Sequence, residues 1–415
     1  MEYISISKKT TKERMIAICA FLSCMVPRYI GTFKIDIGIN ISLYSILVAV
    51  LWMLYAPKKR INVSYSALFY LIWFFSALLS FWRAKDINYW AYYVVYLGVS
   101  VLWMHVLLTH DNPDIFYQIE NAIVFSVIIH IAIGLFEITA HRYLFEVGQF
   151  SLRYYGTTAI SVFHNPNDYS TIMATFLPFV VHKLAKSEGF IKKTFYALTL
   201  GCTIFLLIKN ESRFAVTSLF GISLFYIFLS TTKSRYRKAI ISGYIVAIAL
   251  LFLHPAVRNW GLRVIMDYSI GEGDLVRINL IKNGLYFLRK TYCFGVGAGN
   301  IKYWLVNRSI YSIGGIAYMH NWYVELLATF GVVFFILYMI FHFNVFLRLF
   351  RAFIKNASLS SLDVAFFVSW VCFSWVSMSS STNVYSEWVW MYLVLCLAKS
   401  KMDNSMLNKG NKCYT

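Results

Sequence analysis

Long apolar runs constrain the fold of this 415-residue chain more than any other feature of its sequence. A transmembrane helix needs about 20 mostly apolar residues, and twelve runs approach that length: 15–33, 37–56, 64–82, 88–108, 115–138, 167–184, 193–209, 213–230, 238–254, 321–345, 362–380 and 384–398. Apolar residues make up 59% of the chain and charged residues 14%, whereas soluble domains average about 45–50% and about 25%. The sequence therefore excludes an ordinary soluble enzyme and predicts an all-α, polytopic membrane bundle of about twelve transmembrane helices.

The basic residues predict how this bundle is oriented. A net charge of +19 would indicate nucleic acid in a soluble protein, but here Lys and Arg alternate with apolar runs, so we expect no nucleic-acid partner. With the N-terminus inside, the inner segments carry 22 basic residues and the short outer loops carry 8. Eight more lie in one long outer loop, which the positive-inside rule does not weigh. Both termini are predicted to be cytoplasmic and the long loop extracytoplasmic.

The long loop divides the chain into segments. Membrane helices 1–9 are expected in residues 1–254, the extracytoplasmic loop in 255–320, membrane helices 10–12 in 321–398 and a cytoplasmic tail in 399–415. The first apolar run lacks a small-residue cleavage site, so it is expected to remain as a helix. The loop contains too many apolar side chains for disorder, and we expect it to fold over the membrane surface.

The loop contains one stretch with helical periodicity, residues 275–290 (LVRINLIKNGLYFLRK). On a helical wheel Arg277 falls in the middle of the apolar arc, and Gly284 lies almost on the same line and would leave room beside it. Asn283 and Arg289 fall on the polar arc. Arg277 could snorkel at a membrane surface. An arginine facing the protein needs an anionic partner, however, and because no acidic residue shares its arc, a bound anion is the sharper interpretation.

Three helices that are predicted to descend from the outer face begin with polar residues. These starts are 164–168 (HNPND) before the sixth run, 211–213 (ESR) before the eighth, and His320 with Asn321 before the tenth. Asparagine, serine and proline are ordinary N-terminal residues, so capping alone could explain the pattern. Each start also presents N–H groups outward, and such helix ends bind phosphate readily.

Ionisable residues near these starts are candidates either for chemistry or for structure alone. Arg213 could snorkel or pair with Glu211, and His320 could be a satisfied interfacial histidine. Glu325 lies one turn below Asn321 and could simply hydrogen-bond to it. Two carboxylates near the ends of the fifth run are expected to be structural: Glu120 and Glu137.

Three further patterns bear on cofactors. The run 295–300 (GVGAGN) superficially resembles a dinucleotide loop but lacks the flanking parallel-strand unit and the later acidic residue, so we interpret it as a tight turn. The sequence Glu272-Gly273-Asp274 faintly resembles the acidic metal motif of sugar transferases, without a second carboxylate cluster nearby. The seven cysteines are too few and too scattered for a disulfide framework, and no CxxC or HExxH spacing is present. We therefore expect neither a metal nor another cofactor.

At these residues the sequence resembles the bacterial O-antigen ligase and O-antigen/capsule polymerase superfamily. The matching pieces are HNPNDYST at 164–171, NESRFAV at 210–216, LVRINLIKNG followed by FGVGAGN within 275–300, and MHNWYVELLATFGVVF at 319–334. Their order and spacing are similar to those of the family, and the resemblance extends over about 150–345. The NPND and His-Asn-x-x-x-Glu forms look more like capsule or teichuronic-acid polymerases than lipid A-core ligases.

The resemblance implies a polytopic, inverting glycosyltransferase of the bacterial plasma (inner) membrane that transfers glycan from undecaprenyl diphosphate without metal or nucleotide sugar. It implies catalytic roles for three residues. Arg213 and Arg277 would bind the diphosphate and stabilise it as it departs, and His320 would act as general base. The candidate substrate-binding residues are Asn165, Asn167, Asp168, Asn321 and Glu325.

The leading hypothesis is a polymerase that joins undecaprenyl-diphosphate-linked oligosaccharide repeats into a surface polysaccharide at the outer leaflet. Its expected partners are the lipid-linked donor, a glycan acceptor, the lipid bilayer and, as candidates, a chain-length regulator and a flippase. An O-antigen ligase that transfers glycan to lipid A-core or another acceptor uses the same donor chemistry and is the nearest alternative. A flippase or other transporter would also contain twelve spans, but transporters commonly show repeat symmetry and broken helices near the midplane. The polar residues here cluster at the outer interface, which favours transfer over transport.

Overall fold

The computed structural model describes residues 11–25, 32–34, 40–55, 65–110, 112–145, 157–163, 165–231, 236–253, 272–380, 382 and 384–412. Within these ranges the chain forms fifteen α-helices: α1 Thr11–Met25, α2 Leu43–Tyr55, α3 Tyr65–Leu79, α4 Ile87–Leu108, α5 Ile115–Ala140, α6 Pro166–Lys186, α7 Phe190–Lys209, α8 Arg213–Ser230, α9 Arg237–Leu253, α10 Glu272–Lys290, α11 Ile301–Arg308, α12 Trp322–Phe330, α13 Val332–Lys355, α14 Leu362–Val376 and α15 Glu387–Lys412. A 3-10 turn, Ser80–Arg83, follows α3. Two short strands, β1 (Thr32–Lys34) and β2 (Asn40–Ser42), pair antiparallel before α2.

The helices fall where the apolar runs predict them, since each run overlaps at least one helix. Five of the described helices are long and apolar enough to cross a membrane: α4, α5, α7, α8 and α13. Shorter apolar helices cover Leu43–Tyr55, Ala67–Arg83 and Leu362–Val376. The chain is therefore a polytopic helical membrane protein, and the number of twelve spans stays a prediction.

The prediction of one continuous helix over 321–345 is wrong. The helix α12 ends at Phe330 and α13 begins at Val332, with Gly331 between them at a φ of 88°. A Cβ atom at Gly331 would lie 2.2 Å from the carbonyl oxygen of Cys293. The same carbonyl accepts a hydrogen bond from the Val332 N–H (3.0 Å). The loop enters the bundle at this break, where only glycine fits.

The C-terminal helix α15 forms the centre of the bundle. Residues 387–400 are all buried, and the helix packs against α1, α4 and α13. A helix that is apolar on every side is expected to be buried all round, and α15 meets this expectation with large rings. The Trp390 ring lies 4.9 Å from that of Trp73, and the Tyr392 ring lies 5.8 Å from that of Phe176, measured between centroids. The helix continues to Lys412, into the predicted tail.

Helices α6 and α14 lie antiparallel, and their register positions the start of α6. The Ser369 Oγ donates to the Thr175 carbonyl (2.6 Å), and the His182 Nε2–H donates to the Ser360 carbonyl (3.0 Å). Residue numbers therefore increase along α6 in the direction in which they decrease along α14. Continuing this register brings Asp168, in the first turn of α6, level with the last turn of α14.

Helix α8 has the same relation to α14. The Trp375 Nε1–H donates to the Thr217 Oγ1 (2.8 Å), and further along the pair the Phe225 and Phe367 rings lie 6.2 Å apart. This register brings Arg213, the first residue of α8, level with the turn that follows α14.

The start of α12 lies at the same end of α14. The Trp322 N–H donates to the Ser377 carbonyl (3.2 Å), and the Tyr323 hydroxyl donates to the Ser374 carbonyl (3.0 Å). The first turns of α6, α8 and α12 thus surround the last turn of α14. We call this the site end of the bundle, and the end where α14 begins the opposite end.

The loop segment 272–320 folds around a small core of its own. Its helices α10 and α11 pack against each other and against α12. The buried members of this core are Leu280, Phe287, Val296, Ile301, Leu305, Met319 and Ala328. Because Met319 precedes α12 and Ala328 lies in its last turn, the core fixes the loop helix along α12. The predicted loop residues 255–271 lie outside the described residues.

Candidate functional site

His320 lies at the site end, one residue before the N-cap of α12. Its backbone is left-handed, with a φ of 49°, and its side chain is 8% exposed. The ring is hydrogen-bonded to the backbone of Ser379, and because this bond raises the pKa of the ring, the backbone group is a carbonyl acceptor. Nδ1 has no hydrogen-bond partner among the described residues. The neutral ring therefore carries its proton on Nε2 and keeps its lone pair on Nδ1.

This free nitrogen distinguishes His320 from three other buried histidines, in which both ring nitrogens are hydrogen-bonded. His130 bonds to the Ser161 hydroxyl and to the Cys24 carbonyl. Two other buried histidines also have both ring nitrogens bonded: His182 to Glu120 and Ser360, and His342 to Tyr338 and Ser374. A buried polar atom without a hydrogen-bond partner destabilises the folded protein, so the unpaired Nδ1 of His320 requires an explanation.

The surroundings of His320 keep its ring neutral. Burial, the largest cause, and the positive charge of Arg277 together lower the pKa of His320 to about 4, against the effect of the Ser379 hydrogen bond. At neutral pH the ring is therefore uncharged and Nδ1 is able to accept a proton.

Arg277 comes within electrostatic range of His320 because the loop helix α10 packs closely on α12. The two elements lie close together at Gly284, where a Cβ atom would lie 2.6 Å from Met319 Cε and 2.9 Å from Val324 Cγ1. Gly284 is two helical turns beyond Arg277 on nearly the same line of the helix. The prediction that Gly284 leaves room on this face is confirmed, and the missing side chain lets α10 bring its arginine to the site end.

The prediction that Asn283 lies on the polar outer arc of α10 is wrong. Asn283 is fully buried, and its Oδ1 accepts from the N–H groups of Ile310 (3.0 Å) and Tyr311 (3.1 Å). Its Nδ2 donates to the Tyr311 carbonyl (2.9 Å). Leu275 and Leu285, from the predicted apolar arc, are instead 46% and 50% exposed. The buried face is rotated because residues 309–319, which we call the arm, need partners for their backbone groups.

Asn210 joins the start of α6 to the turn before α8. Its Oδ1 accepts from the Ala159 N–H (2.8 Å) and its Nδ2 donates to the Ala159 carbonyl (2.8 Å). The same Nδ2 lies 3.4 Å from the Pro166 carbonyl and 3.3 Å from the Ser170 Oγ. Because Arg213 follows three residues later, this amide places the arginine beside the polar start of α6.

Capping explains part of the polar pattern at the three helix starts. The Asn165 Oδ1 accepts from the Asn167 N–H (2.7 Å), and the Asn321 Oδ1 accepts from the Val324 N–H (3.1 Å). Ser212, the N-cap of α8, makes no cap hydrogen bond with its side chain in the described structure. Side-chain capping therefore accounts for α6 and α12 better than for α8, whose first residue is an arginine.

Two comparisons with known proteins bear on this arrangement. A family model described as O-antigen ligase matches residues 198–339. Teichuronic acid biosynthesis protein TuaE of Bacillus subtilis (strain 168) is 27% identical over 352 residues, which cover 79% of this chain and 70% of that protein. These matches support an O-antigen ligase/polymerase-like family. The protein is thus a membrane protein of polysaccharide biosynthesis, a polymerase or a ligase.

The O-antigen ligase match contains the three residues that the sequence assigns to catalysis, Arg213, Arg277 and His320. The structure brings Arg277 close enough to His320 for its charge to lower the pKa of the ring. It places Arg213 at the same end of the bundle, level with the turn whose backbone holds His320. The start of α6, with Asn165 to Asp168, precedes the O-antigen ligase match and joins the site through Asn210.

Glu325 is buried in the first turn of α12, with 2% of its surface exposed. The Thr382 Oγ1 donates to its Oε1 (2.8 Å). The expected contact with Asn321 is a backbone one, in which the Glu325 N–H donates to the Asn321 carbonyl (2.9 Å). Asn167 and Asp168 are half-buried in the first turn of α6. Substrate binding by these residues stays a prediction.

Sequence reasoning missed the serine-rich turn Ser377–Ser380. It assigned these residues to the end of a span, whereas the helix ends at Val376. The turn holds both the start of α12, through the Ser377 carbonyl, and the His320 ring, through the Ser379 backbone. The run of small hydroxyl side chains directly after an apolar run (MSSST) was the available signal.

As predicted, the glycine-rich run 295–300 is a turn after the loop helix α10, and it packs against both α12 and α4. The N–H groups of Val296 and Gly297 donate to carbonyls at the end of α12 (2.9 Å each). A Cβ atom at Gly299 would lie 2.2 Å from a carbonyl oxygen in the first turn of α4. Because these two N–H groups are already bonded within the protein, they are not available to hold a phosphate.

The ranges that the structure describes contain no group of three or more His, Cys, Asp or Glu side chains that could hold a metal ion. The side chains of Glu272 and Asp274 lie outside the described residues. Metal independence therefore stays a prediction from the sequence.

Proposed function

We propose that this protein is a metal-independent, inverting membrane glycosyltransferase that polymerises undecaprenyl-diphosphate-linked oligosaccharide repeats at the outer leaflet. The observation that carries the proposal is the buried Nδ1 of His320, which has no partner among the described residues and lies within the electrostatic influence of Arg277. It is found at the site end, where the first turns of α6, α8 and α12 surround the last turn of α14.

The donor's diphosphate would bind to the positive groups at this end. A guanidinium offers two parallel N–H donors to phosphate oxygens, and Arg277 and Arg213 enter from different helices. The N–H groups at the start of α8 add the positive end of a helix dipole. As the bond to the diphosphate breaks, negative charge grows on the leaving oxygen, and fixed positive groups there stabilise the transition state.

The acceptor hydroxyl would be activated by His320. Its oxygen attacks the anomeric carbon of the donor sugar from the side opposite the diphosphate. Nδ1 takes the hydroxyl proton, a new C–O bond forms, and the old C–O bond breaks with its electron pair leaving on the diphosphate. A single displacement of this kind inverts the anomeric configuration. The left-handed backbone of His320 would aim the ring at the acceptor.

Donor binding would also strengthen the base. In the free protein, burial and Arg277 lower the pKa of His320 to about 4, which makes a weak base. A bound diphosphate brings negative charge beside Arg277 and favours the protonated ring. The pKa of His320 would therefore rise in the donor complex, when a base is needed.

A single-substrate assay separates the polymerase from other activities. Purified full-length protein in nanodiscs receives one synthetic undecaprenyl-diphosphate-linked repeat. A polymerase uses this compound as both donor and acceptor and produces a ladder of longer lipid-linked glycans. If no ladder forms with the single substrate but glycan is transferred to an added lipid A-core or other acceptor, the ligase is correct, which the description of the matched family favours. Loss of the lipid-linked repeat from one leaflet without any new glycosidic bond would indicate a transporter.

Orientation and partners are part of the same proposal. The excess of inner basic residues supports cytoplasmic termini in the plasma membrane, with the loop outside. Reporter fusions after Lys238 and within residues 309–316 should report opposite sides, cytoplasmic and external respectively. A flippase would supply the lipid-linked repeat to the outer leaflet, and a chain-length regulator would limit the product.

A further inference from the structure

A lysine enclosed by tyrosines lies next to the arm that leads to His320. Lys302, in the first turn of α11, donates a hydrogen bond to the hydroxyl of Tyr89. Its Nζ lies 4.7 Å from the centre of the Tyr89 ring and 5.8 Å from that of Tyr318. The three side chains come from α11, from the first turn of α4 and from the arm. We call them the lysine–tyrosine cluster.

The cluster is accessible and firmly supported. Its three side chains are all partly exposed. Behind them, the buried Tyr385 ring lies 6.2 Å from the Tyr89 ring. The buried amide of Asn300 accepts from the N–H groups of Lys85 (2.7 Å) and Asp86 (2.8 Å), which fixes the start of α4 against the start of α11. A support of this kind holds a binding surface in shape before a ligand arrives.

The cluster is close to the proposed base along the chain. Tyr318 precedes His320 by two residues, so their Cα atoms are at most about 7 Å apart. Met319, between them, is buried against Gly284 of the loop helix. A glycan chain whose reacting hydroxyl is at His320 would therefore extend past residues of the arm.

The charge of the surrounding segment selects the kind of glycan. The loop segment 272–320 contains six Lys and Arg residues against two acidic residues, Glu272 and Asp274. The nearest carboxylate along α4 is Asp86, whose Oδ1 accepts from the Tyr89 N–H (3.1 Å) as a helix cap. A surface with this excess of positive charge favours an anionic ligand. Tyrosine rings offer a flat apolar face to a sugar ring, and an ammonium group pairs with a carboxylate.

We propose that Tyr89, Tyr318 and Lys302 form an acceptor subsite that binds a carboxylate-bearing sugar, a hexuronate, next to His320. Its place in the reaction rests on the proposed glycosyltransferase function. The binding itself requires no lipid donor, so it can be tested separately.

The test measures glycan binding by full-length protein in nanodiscs, with tetragalacturonate and the neutral maltotetraose as probes. Wild-type protein should bind tetragalacturonate more tightly than maltotetraose, and added salt should weaken this binding. Lys302→Gln should weaken tetragalacturonate binding at least about tenfold, whereas Lys302→Arg, which keeps the charge, should stay within a few-fold of wild type.

The matched control is Lys290→Gln. Lys290 also lies over a tyrosine, with its Nζ 5.6 Å from the Tyr286 ring, but it is exposed on α10. This variant should bind tetragalacturonate like wild type. Equal binding of the two probes, an equal loss in both glutamine variants, or unchanged binding by folded Lys302→Gln would overturn the subsite. Because the assay contains no lipid-linked donor, these outcomes are independent of whether the protein polymerises repeats.

Discussion

The ionisable side chains at the two ends of the bundle differ in the hydrogen-bond and ion-pair partners that they have. At the opposite end, Glu120 bonds to His182 and forms an ion pair with Lys183 (2.8 Å). Asp363 there bonds to Lys399 and accepts from the Asn356 side chain (2.6 Å). At the site end, the buried histidine has an unpaired Nδ1 among the described residues, a left-handed backbone and an arginine as its charged neighbour.

Under the proposed function, this difference would separate residues that stabilise the bundle from residues that take part in catalysis. A paired and hydrogen-bonded charge inside a protein holds neighbouring elements in register. The positive charge of Arg277 disfavours the protonated form of the buried His320, so this pair does not stabilise the fold as an ion pair does. Buried polar atoms without hydrogen-bond partners are expected at positions where function requires them. Variants at the site end should therefore lose activity, and variants at the opposite end should lose stability.

The largest expected effect is that of His320→Gln. Glutamine is neutral and of similar length but cannot act as a general base, and such a base contributes about 10²–10⁴-fold to rate. Elongation of the lipid-linked repeat should fall by that factor, while donor binding and the melting temperature in nanodiscs change little. The control is His182→Gln, a buried histidine at the opposite end, which should melt earlier but keep its rate per folded molecule. Equal rate losses in the two variants would remove the distinction between the ends.

Arg277→Lys should have the next largest effect. Lysine keeps the positive charge but loses the planar pair of donors, so we expect a rate loss of about 10²-fold, similar to the removal of one oxyanion donor. Arg289→Lys, on the exposed side of the same helix, is the matched control and should be close to wild type. If Arg277→Lys elongates normally, Arg277 only snorkels at the membrane surface.

Gly284→Ala tests the close packing of the loop helix on α12. The new methyl group would lie 2.6 Å from Met319 Cε and 2.9 Å from Val324 Cγ1, so either these side chains or α10 must move, and a shift of α10 would displace Arg277. We expect about a tenfold loss of kcat/KM, because small displacements of catalytic groups are costly. Gly221→Ala on α8 has open space around it and should leave the rate unchanged. Normal elongation by Gly284→Ala would show that the spacing of α10 and α12 is not critical.

The smallest effect on activity is expected from Glu120→Gln at the opposite end. Removing one partner of a buried ion pair typically costs about 3–5 kcal/mol, so the melting temperature should fall clearly. The elongation rate of the protein that stays folded should equal that of wild type. A specific loss of rate here, without a loss of stability, would mean that the opposite end also contributes to transfer.

The sequence was sufficient to predict where the helices lie, whereas the roles of the site residues stay predictions. Spans are set by the length of apolar runs, and a helix start is marked by its local capping residues, so both can be predicted locally. The line through Arg277 and Gly284 was also predictable, because helical spacing alone defines it.

Features that depend on distant segments were not predictable in this way. Helical spacing puts Asn283 on the polar arc, but the residue is buried because its side chain hydrogen-bonds to backbone groups of the arm. The break at Gly331 exists because the Cys293 carbonyl approaches it from the loop. The Ser379 contact with His320 likewise joins residues far apart in the chain. Each of these is a tertiary contact that no local periodicity encodes.

The pH dependence of elongation tests most directly whether a neutral His320 takes the acceptor's proton. Above its pKa of about 4 the free ring is neutral and active, and below it the added proton occupies Nδ1. For wild-type protein, kcat/KM for the lipid-linked repeat should therefore be level from about pH 8 to about pH 5 and fall as the pH drops through about 4. The corresponding fall in kcat should begin at a higher pH, because bound diphosphate raises the pKa of His320. The residual activity of His320→Gln should show neither the fall in kcat/KM nor the fall in kcat. An acid limb that persists unchanged in His320→Gln would contradict the account and move the search for the base to Asp168 and Glu325.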